Sequence, residues 1–233
     1  MEPNRKTAFF AGLLIIVGIV SGILSIVPSV ESLDYLSKVS AHQNQVLTGA
    51  LFQFFLVPIY IGFALLLYPI LKTHKSNLAL GFVGFRIISG VFQLIGIITL
   101  PIFILLSQEF LKAETSDLLY FQLLGDSLKL GRDLANHLGV MLATGLGNLM
   151  LYSIFYQTKL VPRWLSGWGL GGNILAMLAS FLILFGLIDV ISSSFAIMTV
   201  PLVLQEVVLA IWLMGKGFNL SSMAQPMPKK ELC

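Results

Sequence analysis

The residue best placed to do chemistry in this chain is Arg86, because it lies where an arginine is least expected. It interrupts Leu78–Ile104, LALGFVGFRIISGVFQLIGIITLPIFI, a run with no other charge. Deep in a membrane helix a guanidinium costs roughly 2.5–3.5 kcal/mol, so it must face protein and find a partner. The carboxylate that answers it is Glu206, inside the last apolar run. At about 1.5 Å per residue, both charges come out about 13–14 Å from the same end of the bundle laid out below. Asn148 and Asn173, on two further apolar runs, reach a similar depth. The expected arrangement is an Arg86–Glu206 ion pair trimmed by the two amides, because an unpaired charge costs far more than a matched, hydrogen-bonded one. Such a layer can be a clamp that sets helix register or the floor of a ligand or ion site. The residues leave both readings open.

A second polar set lies towards the opposite end. Asp133 and His137 are four apart, so on an α-helix the imidazole can touch the carboxylate. Gln53 and Gln93 reach a comparable depth, and Gln93 stands two turns above Arg86 on the same face. A polar column from His137 down to Glu206 would make an access path. The plainer alternative is that Asp133 and His137 decorate an interfacial helix end. Familiar catalytic sets are missing. His137 is the only histidine inside a span, where a b-type cytochrome needs paired ones. There is no H-E-x-x-H zinc motif, phosphate loop or nucleotide fingerprint. No catalytic residue, metal site or cofactor is therefore assigned.

The elements that position these residues follow from composition. Of the 233 residues, 57% are hydrophobic and 11% charged, where soluble domains carry about 25% charge. Thr7–Val30 is 24 residues without a charge, and later runs are as long, against about 20 needed to cross a bilayer. The expectation is an all-α polytopic transmembrane bundle of six helices, over residues 8–28, 46–71, 78–106, 134–155, 164–188 and 193–214. Residues 1–218 then form one domain, followed by a disordered basic tail at 219–233. The first apolar run is too long for a signal peptide and lacks an A-x-A site, so it is read as retained.

Between the third and fourth spans, Asp117–Leu130 alternates apolar and polar residues on a helical beat. That predicts a short interfacial helix capped at Ser116. Pro101 is expected to kink the end of the third span. Pro162 suits a helix start, and Arg163, Trp164 and Trp168 suit a headgroup-level anchor. LYPI at 67–70 and LYSI at 151–154, each followed by a lysine-bearing turn, hint at a duplicated hairpin.

Loop charge orients the spans. Arg5, Lys6, Lys72, Lys75, Lys159, Arg163, Lys216, Lys229 and Lys230 fall on one side. The other side has Lys38, Lys112, Lys129 and Arg132, diluted by seven carboxylates from Glu31 to Asp133. By the positive-inside rule both termini are cytoplasmic. The net charge of +3 is this asymmetry, so the partner it predicts is the bilayer and not a nucleic acid. The lone cysteine, Cys233, permits neither an internal disulfide nor a thiolate metal cage.

The runs LALGFVGFRIISG, LSQEFLKA with YFQLLG after it, and LVPRWLSGWGLGG resemble the bacterial membrane family known as domain of unknown function 4386. The resemblance covers roughly residues 6–216. It implies a multi-pass protein of a prokaryotic cytoplasmic membrane, with no assigned activity and no catalytic residues to carry over. The preferred expectation is binding, with transport as its extension, of a small molecule or ion at a layer around Arg86 and Glu206. Two alternatives stand beside it. One is a non-catalytic accessory or sensor protein with a purely structural pair. The other is a membrane-embedded enzyme acting at the outer face through Asp133 and His137.

Overall fold

The computed structural model describes residues 3–190 and 192–219, and every regular element among them is helical. The chain begins with α1 (Pro3–Leu24), followed by two single-turn helices, α2 (Pro28–Glu31) and α3 (Tyr35–Lys38). Next come α4 (Gln43–Phe110), α5 (Leu118–Asp133), α6 (Met141–Thr158), α7 (Arg163–Leu184) and α8 (Ser193–Gly215). Five helical runs are long and apolar enough to cross a membrane: Asn4–Leu24, Ser40–Phe110, Leu118–Thr158, Arg163–Leu184 and Ser193–Gly215. The all-helical architecture and its membrane character therefore agree with the composition.

The 68 residues of α4 are not one rod. Lys75, at φ −145° and ψ 81°, leaves helical geometry. It does so in the polar stretch KTHKSN, which has no apolar face to bury. The arms on either side, 43–74 and 76–110, fold back on each other. The rings of Phe63 and Phe82 meet edge to face at 6.0 Å, and a Cβ on Gly90 would lie 3.3–3.4 Å from Ile61 and Val57. Three prolines lie inside α4, yet Lys75 alone departs from helical dihedrals. At Pro101, where a kink is expected, the backbone keeps helical dihedrals and the helix continues to Phe110.

Arg5 draws the two ends of the described chain together. Its guanidinium donates to the carbonyls of Leu213 at 3.2 Å, Met214 at 2.8 Å and Gly215 at 2.5 Å. A cation thereby satisfies the carbonyls that the end of α8 leaves unpaired. Gly12 allows this approach, since a Cβ there would collide with Met214 and the Ala210 carbonyl. Around this end, here the terminal end, lies a closed core of Ala8, Leu71, Phe82, Phe155, Leu160 and Leu213, all at 0% exposure.

At the opposite, loop end, Val27, Val39, Val46, Leu100 and Phe103 form a smaller core under α2 and α3. Ser107 ties it together, accepting from the Ser40 amide at 2.9 Å and donating to the Leu36 carbonyl at 2.6 Å.

The expected amphipathic helix exists as α5, but Asp117 and not Ser116 occupies its cap position. It is also not a separate piece. Residues Leu134–Val140 form a π-helical stretch that joins α5 to α6 in one continuous run. The two turns of the suggested duplicated hairpin are built differently. One is the single break at Lys75. The other is a loop in which Lys159 takes the left-handed conformation, φ 59°. Ser192 begins α8 by accepting the Phe195 amide at 3.1 Å. The expected tail lies outside the described residues from 220 onward.

Candidate functional site

Four helices leave a cavity of about 340 Å³ between them. α1 supplies its apolar wall, with Leu14, Ile15, Ile19 and Ile23, and has no polar group to offer there. The opposite wall holds Tyr60 and Arg86 from the two arms of α4, Asn148 and Tyr152 from α6, and Glu206 from α8. Arg86 is 5% exposed. Its Nη2 donates to Asn148 Oδ1 at 2.6 Å. The rings of Tyr60, Phe63 and Phe82 lie 5.4, 5.4 and 5.5 Å from its guanidinium carbon. Each ring face stabilises a cation by roughly 0.5–2 kcal/mol, the larger value where water is excluded. This box of rings offsets part of the burial cost without a carboxylate.

The expected ion pair is not formed. No nitrogen of Arg86 lies within 4.0 Å of the Glu206 carboxylate, and Glu206 has no hydrogen bond among the described residues. Both charges line the same cavity from different helices. The Nε of Arg86 and the Nδ2 of Asn148 have no hydrogen-bond partner. The layer thus holds a cation, a carboxylate and unused donors around a space, where a closed clamp would have filled that space with the pair itself.

Asn173 lies elsewhere. Its amide donates to the Gly145 carbonyl at 2.8 Å, bracing α7 against α6. Equal depth did not bring it to the cavity, because rotation about the helix axis sends the side chain elsewhere. Sequence reasoning missed the phenols. Tyr152 donates to Gln205 Oε1 at 2.8 Å, and Gln205 donates to the Leu165 carbonyl at 3.2 Å. This relay fixes Tyr152 on the cavity wall. The signal was available, since Tyr60 and Tyr152 are tyrosines inside spans that elsewhere carry phenylalanine and leucine.

A second, larger cavity of about 910 Å³ lies towards the loop end. It collects Gln53, Gln93, Asn136 and His137 with Glu31 and Arg132. Ile26 lines both cavities. Gln53, Gln93 and His137 therefore share a space, whereas Asp133 is not on its wall. The expected Asp133–His137 contact is also absent. The backbone passes from α-helix at Asp133 into the π stretch that holds His137, and with its wider i→i+5 turn residues four apart no longer stack. Asp133 Oδ1 lies 3.6 Å from Arg132, and the His137 ring packs edge-on to Phe195 at 5.5 Å. A catalytic dyad of these two residues has no geometric basis here. Among the described residues there is also no group of three His, Cys, Asp or Glu side chains able to hold a metal ion.

By sequence Arg132 is a loop charge, yet it is 5% exposed and donates to Glu31 Oε1 at 2.7 Å. Its partner is 101 residues away in sequence, a separation at which no local spacing could have linked the two. No curated protein and no solved structure matches the chain. A family model does match, over residues 10–217, nearly the full described length: the chain belongs to the family described as Domain of unknown function (DUF4386).

Proposed function

We propose that this protein is a six-span membrane protein of the prokaryotic cytoplasmic membrane, both termini inside. In this reading it binds a small zwitterion with an apolar body in the central cavity. Six crossings are supported by the break at Lys75, which divides a 71-residue apolar run too long for one crossing. The orientation is supported by the excess of Lys and Arg at the terminal end. The ligand reading rests on one observation: Arg86 and Glu206 face one cavity without touching. A molecule carrying a carboxylate and an ammonium group would neutralise both, and its apolar part would lie against Leu14, Ile15 and Ile19. The volume is at the small end of the roughly 300–1,000 Å³ that ligand sites span.

The accessory or sensor reading has the Arg86–Asn148 bond in its favour, since that bond also braces α4 against α6. One experiment separates the two. Binding of leucine to the detergent-solubilised full-length protein is compared with binding of 4-methylpentanoate and of 3-methylbutylamine, which keep one charge each. The zwitterion should bind at least ten-fold tighter than either, with Arg86→Gln abolishing the preference over the amine and Glu206→Gln that over the acid. Equal binding of all three, or none, would leave Arg86 as structural bracing through its bond to Asn148.

A further inference from the structure

The loop-side cavity has a composition that the central one lacks, and that composition selects a different chemistry. Its charged groups are already matched. Arg132 donates to Glu31 at 2.7 Å and stands 3.6 Å from Asp133. Lys129 donates to the Glu31 carbonyl at 3.2 Å. A charged solute entering here finds no unmatched counter-charge.

Apart from Arg132 Nε and Asp133 Oδ1, whose charges are balanced as above, the groups here without a hydrogen-bond partner belong to uncharged side chains. Gln93 is 6% exposed, lines the cavity and has no hydrogen-bond partner among the described residues. Gln53, 5% exposed, donates to the Ser25 carbonyl at 3.3 Å while its Oε1 has no partner. Asn136 Oδ1 and His137 Nδ1 are buried and unpartnered as well. A buried amide without a partner costs roughly 1–3 kcal/mol, so this concentration on one wall calls for a reason. The backbone points the same way. π-Turns are rare and recur at functional sites, and the π stretch Leu134–Val140 is what brings Asn136 and His137 together onto this wall. Gly96 makes room for it, since a Cβ there would collide with the Asn136 amide.

We infer that the loop-side cavity is a second binding site, for a neutral polyhydroxyl group of mono- or disaccharide size. Hydroxyls donate and accept at once, and so match the glutamine and asparagine amides and the imidazole nitrogen that face them. The Arg132–Glu31 pair offers further edges without imposing a net charge. The ring of Phe195, held edge-on by His137, adds an apolar surface for the C–H face of a sugar. The chemistry is shared by a free sugar and by a glycolipid headgroup.

The test uses full-length protein in a detergent with no sugar headgroup, with radiolabelled maltose in equilibrium dialysis. Saturable binding is expected, weakened at least ten-fold in Gln93→Leu and in Asn136→Ala. Maltobionate, the carboxylate analogue, should compete at least ten-fold more weakly than unlabelled maltose. Gln93→Leu removes an amide with no protein partner, so its unfolding temperature should equal or exceed that of wild type, which separates loss of binding from loss of fold. In a parallel arm, nanodiscs containing diglucosyl diacylglycerol are analysed for lipid retained on the protein. Retention lost in Gln93→Leu, with no free-maltose binding, assigns the site to a headgroup. Maltose binding assigns it to a soluble sugar. The proposal falls if neither probe binds, if both variants bind as wild type does, or if maltobionate competes equally.

Discussion

Arg86 and Arg132 are equally buried, each 5% exposed, yet the chain neutralises them in opposite ways. Arg132, near the loop end, has a carboxylate at 2.7 Å. Arg86, in the central cavity, has one amide oxygen, three aromatic rings and a carboxylate kept out of reach. The first arrangement is balanced in charge, so a charged ligand gains little from it. The second leaves charge unspent around a space. Burial alone therefore does not mark a functional charge; what distinguishes Arg86 is that its counter-charge is present and not used.

The largest effect should come from opening the closed pair. Removing one partner of a buried salt bridge costs about 3–5 kcal/mol, because the survivor stays buried and uncompensated. Glu31→Gln, whose partner Arg132 stays nearly enclosed, should therefore lose about 3 kcal/mol in equilibrium unfolding of the solubilised protein. Loss of less than about 1 kcal/mol would show that Asp133, 3.6 Å from Arg132, takes over the role.

The latch at the terminal end should come next. Arg5 makes three bonds to carbonyls at the end of α8, and a cation in such a place contributes up to about 2 kcal/mol. Arg5→Ala should lower stability by about that much. It should also speed hydrogen exchange at the last turn of α8 while leaving the loop end unchanged.

Smaller again, and opposite in sense to Glu31→Gln, is the effect of emptying the central cavity of charge. Arg86→Met with Glu206→Leu replaces two unmatched charges by apolar groups, a change that is often neutral or stabilising. The double variant should unfold within about 1 kcal/mol of wild type or later. In a double-mutant cycle the two single changes should couple by about 1 kcal/mol, since opposite charges that line one buried cavity attract each other without touching. A coupling above about 3 kcal/mol would mean that the charges meet in solution and that the cavity closes.

How much of this was legible depended on whether a residue's signal was local. Arg86 stood out because one charge in an apolar run is visible without any partner, and Glu206 followed by counting rise along two helices. Asn173 failed the same count, because depth fixes height and not rotation, and its amide turns to Gly145. Asp133 and His137 failed because i,i+4 reasoning assumes an α-turn, and nothing in LANHLGV announces a π one. The wall of α1 was illegible in principle. A uniformly apolar helix presents the same chemistry on every side, so only packing decides which face lines the cavity. Lys75 was placed in a connector and does break the helix. The connector's polarity foretold it, where the three prolines would have suggested other places.

The smallest expected change bears on the loop end, where Tyr35 is the tie between α3 and α5. Its hydroxyl donates to Asp126 Oδ1 at 2.9 Å, and the ring meets Phe103 edge to face at 5.8 Å. Gly125 leaves the space for that hydroxyl, since a Cβ there would collide with it. Tyr35→Phe keeps the ring and should cost only about 1 kcal/mol, the net value of one hydrogen bond. Burial, and then the neighbouring Asp126 carboxylate, push the Tyr35 phenol above its ordinary value of 10.0. The folded protein thus holds this proton more tightly than the unfolded chain does. The stabilisation is complete below about pH 10 and fades as pH rises beyond it, because only the unfolded chain then releases the proton readily. Unfolding measured from pH 8 to 11 should therefore show wild type losing stability above pH 10 faster than Tyr35→Phe, so that the two curves converge. Parallel curves would mean that the Tyr35 phenol is exposed and parted from Asp126 in solution, and α3 would then be free to lift from α5.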